Sequence, residues 1–169
     1  MNSSPADAEL TQTSHGRVPD EGPIVRAGGL CLVSEGLLLV EQRRGEEAYW
    51  LLPGGGVRFG EALADSLRRE FTEELGLRVT VGRPLALVEA ISPDMAAYRK
   101  HVVHIVLEVR PAGGAGSACL ALRDSAVVSA RFVPRAELPG LDLRPPIADF
   151  LDRCFDDLPE TPVYLGRRW

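Results

Sequence analysis

Glu70, Glu73 and Glu74 stand at positions i, i+3 and i+4, a spacing that sets three carboxylates on one face of a 3.6-residue helix. Like charges so placed repel, at about 0.2–0.5 kcal/mol per pair. Arg69, four residues before Glu73, relieves part of this and leaves surplus negative charge on a small patch. A hard divalent cation answers that surplus, since oxygen-only ligands suit Mg²⁺ or Mn²⁺ better than zinc or copper. Just upstream runs Leu52-Pro53-Gly54-Gly55-Gly56-Val57. Consecutive glycines let the backbone take positive φ and come close to a ligand or metal where a side chain would obstruct. Loop and helix together form one candidate site.

The elements that position these residues follow from hydrophobic period. Between Glu61 and Leu75 there is no Gly or Pro, and Ala64, Leu67, Phe71 and Leu75 recur at spacings of three and four; this predicts an amphipathic helix stopped by Gly76. Before it, Ala27–Val33 and Leu37–Glu41 predict a hairpin closed by the three-residue loop Ser34-Glu35-Gly36, followed by a polar stretch, Gln42–Ala48. After it, Leu77–Val81, Leu85–Ile91, Val102–Val109 and Val127–Val133 read as strands, and Pro111–Ser117 as a glycine-rich loop. Pro145-Pro146 introduces a second helix over Ile147–Phe155. Strands, helix, strands and helix in that order predict a mixed α/β or α+β sheet covered on its faces.

At 169 residues, 45% of them apolar, the chain suffices for one domain with its own core. Residues 1–23 read as a disordered leader rich in Ser, Thr, Pro and acids, 24–158 as the folded domain, and 159–169 as a tail. The formal charge of −5 argues against a sequence-independent grip on nucleic acid or an anionic membrane. With neither a long apolar run nor a signal-peptide core, the expectation is a cytoplasmic protein acting on a small molecule. Cys31, Cys119 and Cys154 are odd in number and scattered, so they read as reduced thiols.

Starting at Gly55, the chain reads Gly, five residues, Glu61, seven residues, Arg69-Glu70-Phe71, one residue, Glu73-Glu74, one residue, Gly76-Leu77. This resembles the complete Nudix box. The likeness extends from about Ile24 to Phe155 through the Trp50-x-Leu52-Pro53-Gly54-Gly55 lead-in and the late Arg131-Phe132-Val133-Pro134 with Glu137-Leu138. It implies a Nudix-type α/β/α sandwich around a mixed β-sheet, and Mg²⁺- or Mn²⁺-dependent hydrolysis of a pyrophosphate in a nucleoside diphosphate linked to another group, X. By the same resemblance Glu70 and Glu74 are the principal metal ligands, and Glu73 is a third ligand or orients the attacking water. The Gly54 carbonyl is a further ligand, Arg69 holds the glutamates, and Glu61 fixes loop to helix. Pro93, shortly after the box, resembles the ADP-ribose pyrophosphatase branch, which puts ADP-ribose or a nucleotide sugar ahead of nucleoside triphosphates and dinucleoside polyphosphates.

One departure stands out: no glutamate lies in Arg123–Ala130, where family members often supply a base or ligand. Asp124, Glu108 or a box glutamate is left to fill that role, and a catalytically inactive nucleotide sensor of the same fold is the alternative of another class. Arg43 and Arg44, with Gly55 and Gly56, are candidates to hold substrate phosphates, a solvated turn being the competing reading of the arginines. Trp50, His101 and His104 read as core or surface residues, and Glu89 as an edge residue on an apolar strand face. The tail Tyr164–Trp169, carrying Arg167 and Arg168, is read either as packing on a second copy in a homodimer or as ordered locally.

Overall fold

A computed structural model of the chain describes residues 22–93, 100–114, 120–122 and 127–169. Most of the leader, Cys119 and Asp124 lie outside the described residues. The strands are β1 (Ile24–Leu30), β2 (Leu32–Val33), β3 (Gly36–Arg44), β4 (Glu47–Leu51), β5 (Gly54–Gly56), β6 (Val79–Ile91), β7 (His101–Pro111), β8 (Val127–Val133) and β9 (Val163–Arg168). Two α-helices join them, α1 (Leu63–Leu75) between β5 and β6 and α2 (Ala148–Arg153) between β8 and β9, with a 3₁₀ turn over Arg135–Gly140.

A five-stranded sheet runs β5-β1-β7-β6-β9. It is mixed: β1 is parallel to β7 and β6 to β9, whereas β5 and β7 are antiparallel to β1 and β6 respectively. In a second sheet, β3 pairs with β2, β4 and β8. Two cores result. Leu67, Phe71 and Leu75 of α1 pack with Ala27, Leu107 and Val109 on one side, while Phe150 and Leu151 of α2 pack with Leu30, Val88 and Val106 on the other. Strand β3 serves both, giving Leu37 and Leu39 to one core and Leu38 and Val40 to the other. Its first half is therefore a continuous apolar run rather than an alternating one.

The helix α1 ends as its sequence predicts. Gly76 takes φ 63°, its N–H reaches Thr72 O at 3.1 Å, and the N–H of Leu77 reaches Phe71 O at 3.0 Å.

Four expectations are corrected. The run Ala27–Val33 divides at Cys31, so that β1 joins β5 and β7 while only β2 makes the hairpin with β3. Val33 pairs with Gly36, so the loop is two residues, Ser34-Glu35; at Gly36 (φ 137°) a Cβ would sit 2.3 Å from Val133 O, which leaves glycine as the residue for that place. The polar stretch Gln42–Ala48 is the β3–β4 hairpin, turning at Gly45 and Glu46. It projects into solvent and so shows no apolar period. The two strands expected over 77–91 are one, β6, whose ladder shifts register around Gly82-Arg83-Pro84, as a proline inside a strand requires. Within the stretch read as a tail, β9 pairs with Ala86–Ala90 of β6, and Tyr164 OH donates to Glu89 Oε2 at 2.5 Å. Cys31 and Cys154 are buried free thiols, both pushed up to about 11 by desolvation. Among the described residues no helix is long and apolar enough to cross a membrane.

Candidate active site

The three glycines form β5, at the open edge of the five-stranded sheet. Along an antiparallel ladder, backbone groups point alternately toward and away from the partner strand. Gly29 N–H bonds to Pro53 O and Val57 N–H to Val25 O, which leaves the polar groups of Gly54 and Gly56 facing outward. There α1 meets them: Gly54 N–H donates to Glu74 Oε2 at 3.3 Å, and Gly56 O accepts from Arg69 Nη2 at 3.3 Å.

Each glycine has its own reason. At Gly54 (φ 135°) a Cβ would lie 2.2 Å from the Ala27 carbonyl oxygen. At Gly55 it would lie 2.2 Å from Glu70 Oε1, so the Glu70 carboxylate rests in the space that glycine leaves. Glu74 is 5% exposed, and burial of a carboxylate at that depth is expensive without donors or nearby positive charge.

Arg69 organises the remainder. Its guanidinium donates to Glu61 Oε1 at 2.8 Å and Oε2 at 3.0 Å, to Glu70 Oε1 at 2.5 Å and to Glu73 Oε2 at 3.2 Å. Bonded to Arg69 and to the Arg58 N–H, the Glu61 carboxyl falls to about 2. Loop and helix are thus held by one arginine shared among three carboxylates. Glu73 is the exposed member, also 3.9 Å from Arg58 Nη2.

The structure therefore brings Glu70 and Glu74 to Gly54 and Gly55, and turns Glu73 toward the arginines. Among the described residues no three Asp, Glu, His or Cys side chains converge as a closed metal cage. The donor set is instead two carboxylates with the outward backbone oxygens of the loop, and the cradle at Gly55 leaves the Glu70 oxygens beside that backbone. All-oxygen donors of this kind fit Mg²⁺ or Mn²⁺.

Other candidates separate. Arg43 and Arg44 pair with Ala48 and Glu47 at the exposed tip of the β3–β4 hairpin; as adjacent strand residues they face opposite ways, and Arg44 is the one whose charge bears on Lys100. Glu108 shares its face of β7 with Val106, away from α1, and pairs with Arg110 at 2.5 Å. The structure does not bring it together with Glu70 and Glu74. Glu89 accepts from Tyr164 and lies 3.5 Å from His101 Nε2. Trp50 packs against the α2-side core under Arg131, 5.1 Å from the ring centroid.

Sequence reasoning missed Arg26. It pairs with Gly56 across β1–β5 and with His104 across β1–β7, and its Nη2 donates to Leu52 O at 3.2 Å. Burial lowers its pKa, opposed by the charges of Glu74 and Glu70. A charged residue inside the apolar run Ile24–Leu30 was the available signal.

The NUDIX domain profile matches residues 22–156. The chain belongs to the Nudix hydrolase family, whose members are pyrophosphohydrolases. No curated protein matches the sequence as a relative. Among solved structures the chain is similar to a MutT protein from Methanosarcina mazei Go1, with 24% identity, TM-score 0.64, and 81% of this chain and 96% of that one covered. It is also similar to an ADP-ribose pyrophosphatase from Streptococcus suis 89-1591 (21%, TM-score 0.63, 85% and 99%) and to a UDP-X diphosphatase (19%, TM-score 0.64, 84% and 67%). At these identities the likeness is one of fold.

Proposed function

We propose that this Nudix pyrophosphohydrolase cleaves the pyrophosphate of a nucleoside diphosphate linked to a second group, with ADP-ribose or a nucleotide sugar as the leading class, and uses Mg²⁺ or Mn²⁺. The observation that carries the reading is the placement of Glu70 and the buried Glu74 against the backbone of Gly54 and Gly55. Pro93, shortly after the box, supports the substrate class.

Glu70, Glu74 and the outward Gly54 carbonyl would hold the cation, and when bound it neutralises phosphoryl oxygens and lowers the pKa of the attacking water. The chain's own residues set the stage. Arg69 fixes Glu70 beside Gly55 and ties α1 to the loop. Gly55 and Gly56 let phosphates approach the backbone at a water-accessible sheet edge, Gly56 being exposed. Glu73, exposed and hydrogen-bonded to Arg69, would act as a third ligand or orient the attacking water.

The test is phosphate release, coupled to a helper phosphatase, from ADP-ribose, nucleotide sugars, nucleoside triphosphates and dinucleoside polyphosphates, with Mg²⁺, Mn²⁺ or EDTA. Metal-dependent turnover led by ADP-ribose or a nucleotide sugar is the expected result. Turnover confined to triphosphates would overturn the substrate class, and nucleotide binding with no turnover would make the chain a sensor.

A further inference from the structure

Two arginines meet the carboxylates of the site, and the structure uses them differently. Arg69 is nearly covered, its side chain 16% exposed. Its donors go to Glu61, Glu70, Glu73, Ser66 Oγ and Gly56 O, which leaves little for a substrate. Arg58 is the reverse. Its main chain is closed into a short turn, since the Arg58 N–H donates to Glu61 Oε2 at 3.0 Å and the Glu61 N–H donates back to Arg58 O at 3.0 Å. Arg69 grips that same glutamate, so the network that ties the loop to α1 also sets where the Arg58 side chain begins. The guanidinium at its far end is 65% exposed and lies 3.9 Å from Glu73 Oε2, beyond hydrogen-bond distance.

An exposed ion pair of that length adds little to stability. Nor does Glu73 depend on it, because Arg69 already donates to the same Oε2 at 3.2 Å. Other arginines are committed elsewhere: Arg26 to Leu52 O, Arg68 to Asp65 at 2.7 Å, and Arg43 and Arg44 to the tip of the β3–β4 hairpin. Among the described residues Arg58 is thus the cation beside Glu73 whose donors are unspent. The site meanwhile gathers Glu61, Glu70, Glu73 and Glu74 around one covered arginine, and a pyrophosphate brings further negative charge to it. A guanidinium with its donors free answers that charge through paired hydrogen bonds to phosphoryl oxygens.

The geometry points to Arg58 as a substrate-contacting residue of this reaction: it leaves Glu73 for a non-bridging oxygen of the pyrophosphate and stays with that oxygen as cleavage proceeds. The inference rests on the pyrophosphohydrolase reading above and adds to it the side chain that takes phosphate charge. Cleavage bonds the water oxygen to one phosphorus while the bond to the bridging oxygen breaks, its electron pair leaving with the other phosphate. Each product gains an ionisable oxygen and sheds its proton to solvent, so the charge facing Arg58 grows along the reaction, where a fixed donor counts most.

Kinetics with Mg²⁺, on the substrate of the panel that turns over fastest, and calorimetric binding of the uncleavable analogue α,β-methylene-ADP test this. Arg58→Gln should lower kcat/KM about 10- to 100-fold, the worth of a hydrogen bond to a charged group, and weaken the analogue about tenfold, with an unchanged melting temperature. Arg58→Lys, which keeps charge without the fork, should fall between. Arg68→Gln removes an equal charge from an exposed side chain and should stay within about twofold of the native rate. In a Glu73→Gln background the Arg58→Gln loss should multiply, as independent contacts do. No further loss in that background would show that Arg58 acts only by holding Glu73, and equal losses in Arg58→Gln and Arg68→Gln would show only a general field; either overturns the inference. Native activity in Arg58→Gln overturns it too and leaves the hydrolase reading standing. Should the native chain hydrolyse nothing, that reading fails and the analogue decides: weaker binding by Arg58→Gln supports the contact, and equal affinity or no binding by the native chain overturns it.

Discussion

Gly54 and Gly55 are neighbours whose replacement by alanine should fail in different ways. In Gly54→Ala the new methyl meets a backbone carbonyl at a φ of 135°, so the fold itself is strained, by about 1–3 kcal/mol, and a urea midpoint should move to match. In Gly55→Ala the methyl meets the end of the Glu70 side chain, which can swing aside. Thermal stability should change little while turnover falls at least tenfold, and equal losses in both variants would argue against Glu70 being held by that cradle. Glu74→Gln keeps volume and an oxygen for the Gly54 N–H but removes charge from the site. Activity should drop on the order of 10²-fold or more, the scale for losing one charge-stabilising group, with near-native circular dichroism; full activity would sink the metal assignment. The glutamates were legible because three positions within five residues fix their geometry through the helix alone. Arg26 and His104 were not, because their meeting depends on the pairing of β1 with β7, and no local spacing encodes it.

At the scale of elements, α1 was readable from its apolar period and its terminal glycine, whereas the chain ends and hairpins were not. Tyr164–Trp169 shows no alternation that separates a strand from a tail; β9 exists because β6 offers it an edge. Removing 159–169 should therefore expose that edge, which is otherwise paired with Val163–Arg168. The melting temperature should fall by roughly 5 °C, since a domain of this size loses about 2–4 °C per kcal/mol, and a truncated chain melting like the full one would show β9 to be dispensable. The β3–β4 hairpin escaped prediction for the opposite reason. Its residues are solvated on both faces beyond Gln42, so nothing in hydrophobic pattern distinguishes it from a loop.

For the whole molecule, the electrostatics around Arg26 should appear in the dependence of stability on pH. Burial, with Arg26 and Lys100 nearby, lowers His104 from 6.5 to about 4. The folded state excludes a proton that the unfolded chain binds, so this contribution is complete above pH 6.5, declines as the pH falls toward 4 and levels off below that. At about 1.4 kcal/mol per unit the loss reaches about 3 kcal/mol. Denaturant unfolding at a series of pH values should show that slope in the native sequence and a flatter one in His104→Asn; identical slopes would mean that the imidazole is hydrated. The arrangement of sheet covered by a helix on each side was readable in outline from the order of its elements. Which strand neighbours which was not, since Ile24–Leu30 pairs with residues at both Gly54–Gly56 and Val102–Glu108.

That pairing bears on how the protein reaches its native state. Strand β5 has no side chains with which to dock, so its order is borrowed from β1. In turn β1 needs β7, a parallel partner far along the chain whose residue Val102 sits beside Ile24. Closing so long a loop is slow and comes before its contacts can repay the lost entropy. Helix α1, built from local contacts, has no such wait. During folding the glutamates should thus be presented on a formed helix before the loop they serve exists, and catalytic competence should return last, after helical signal has recovered.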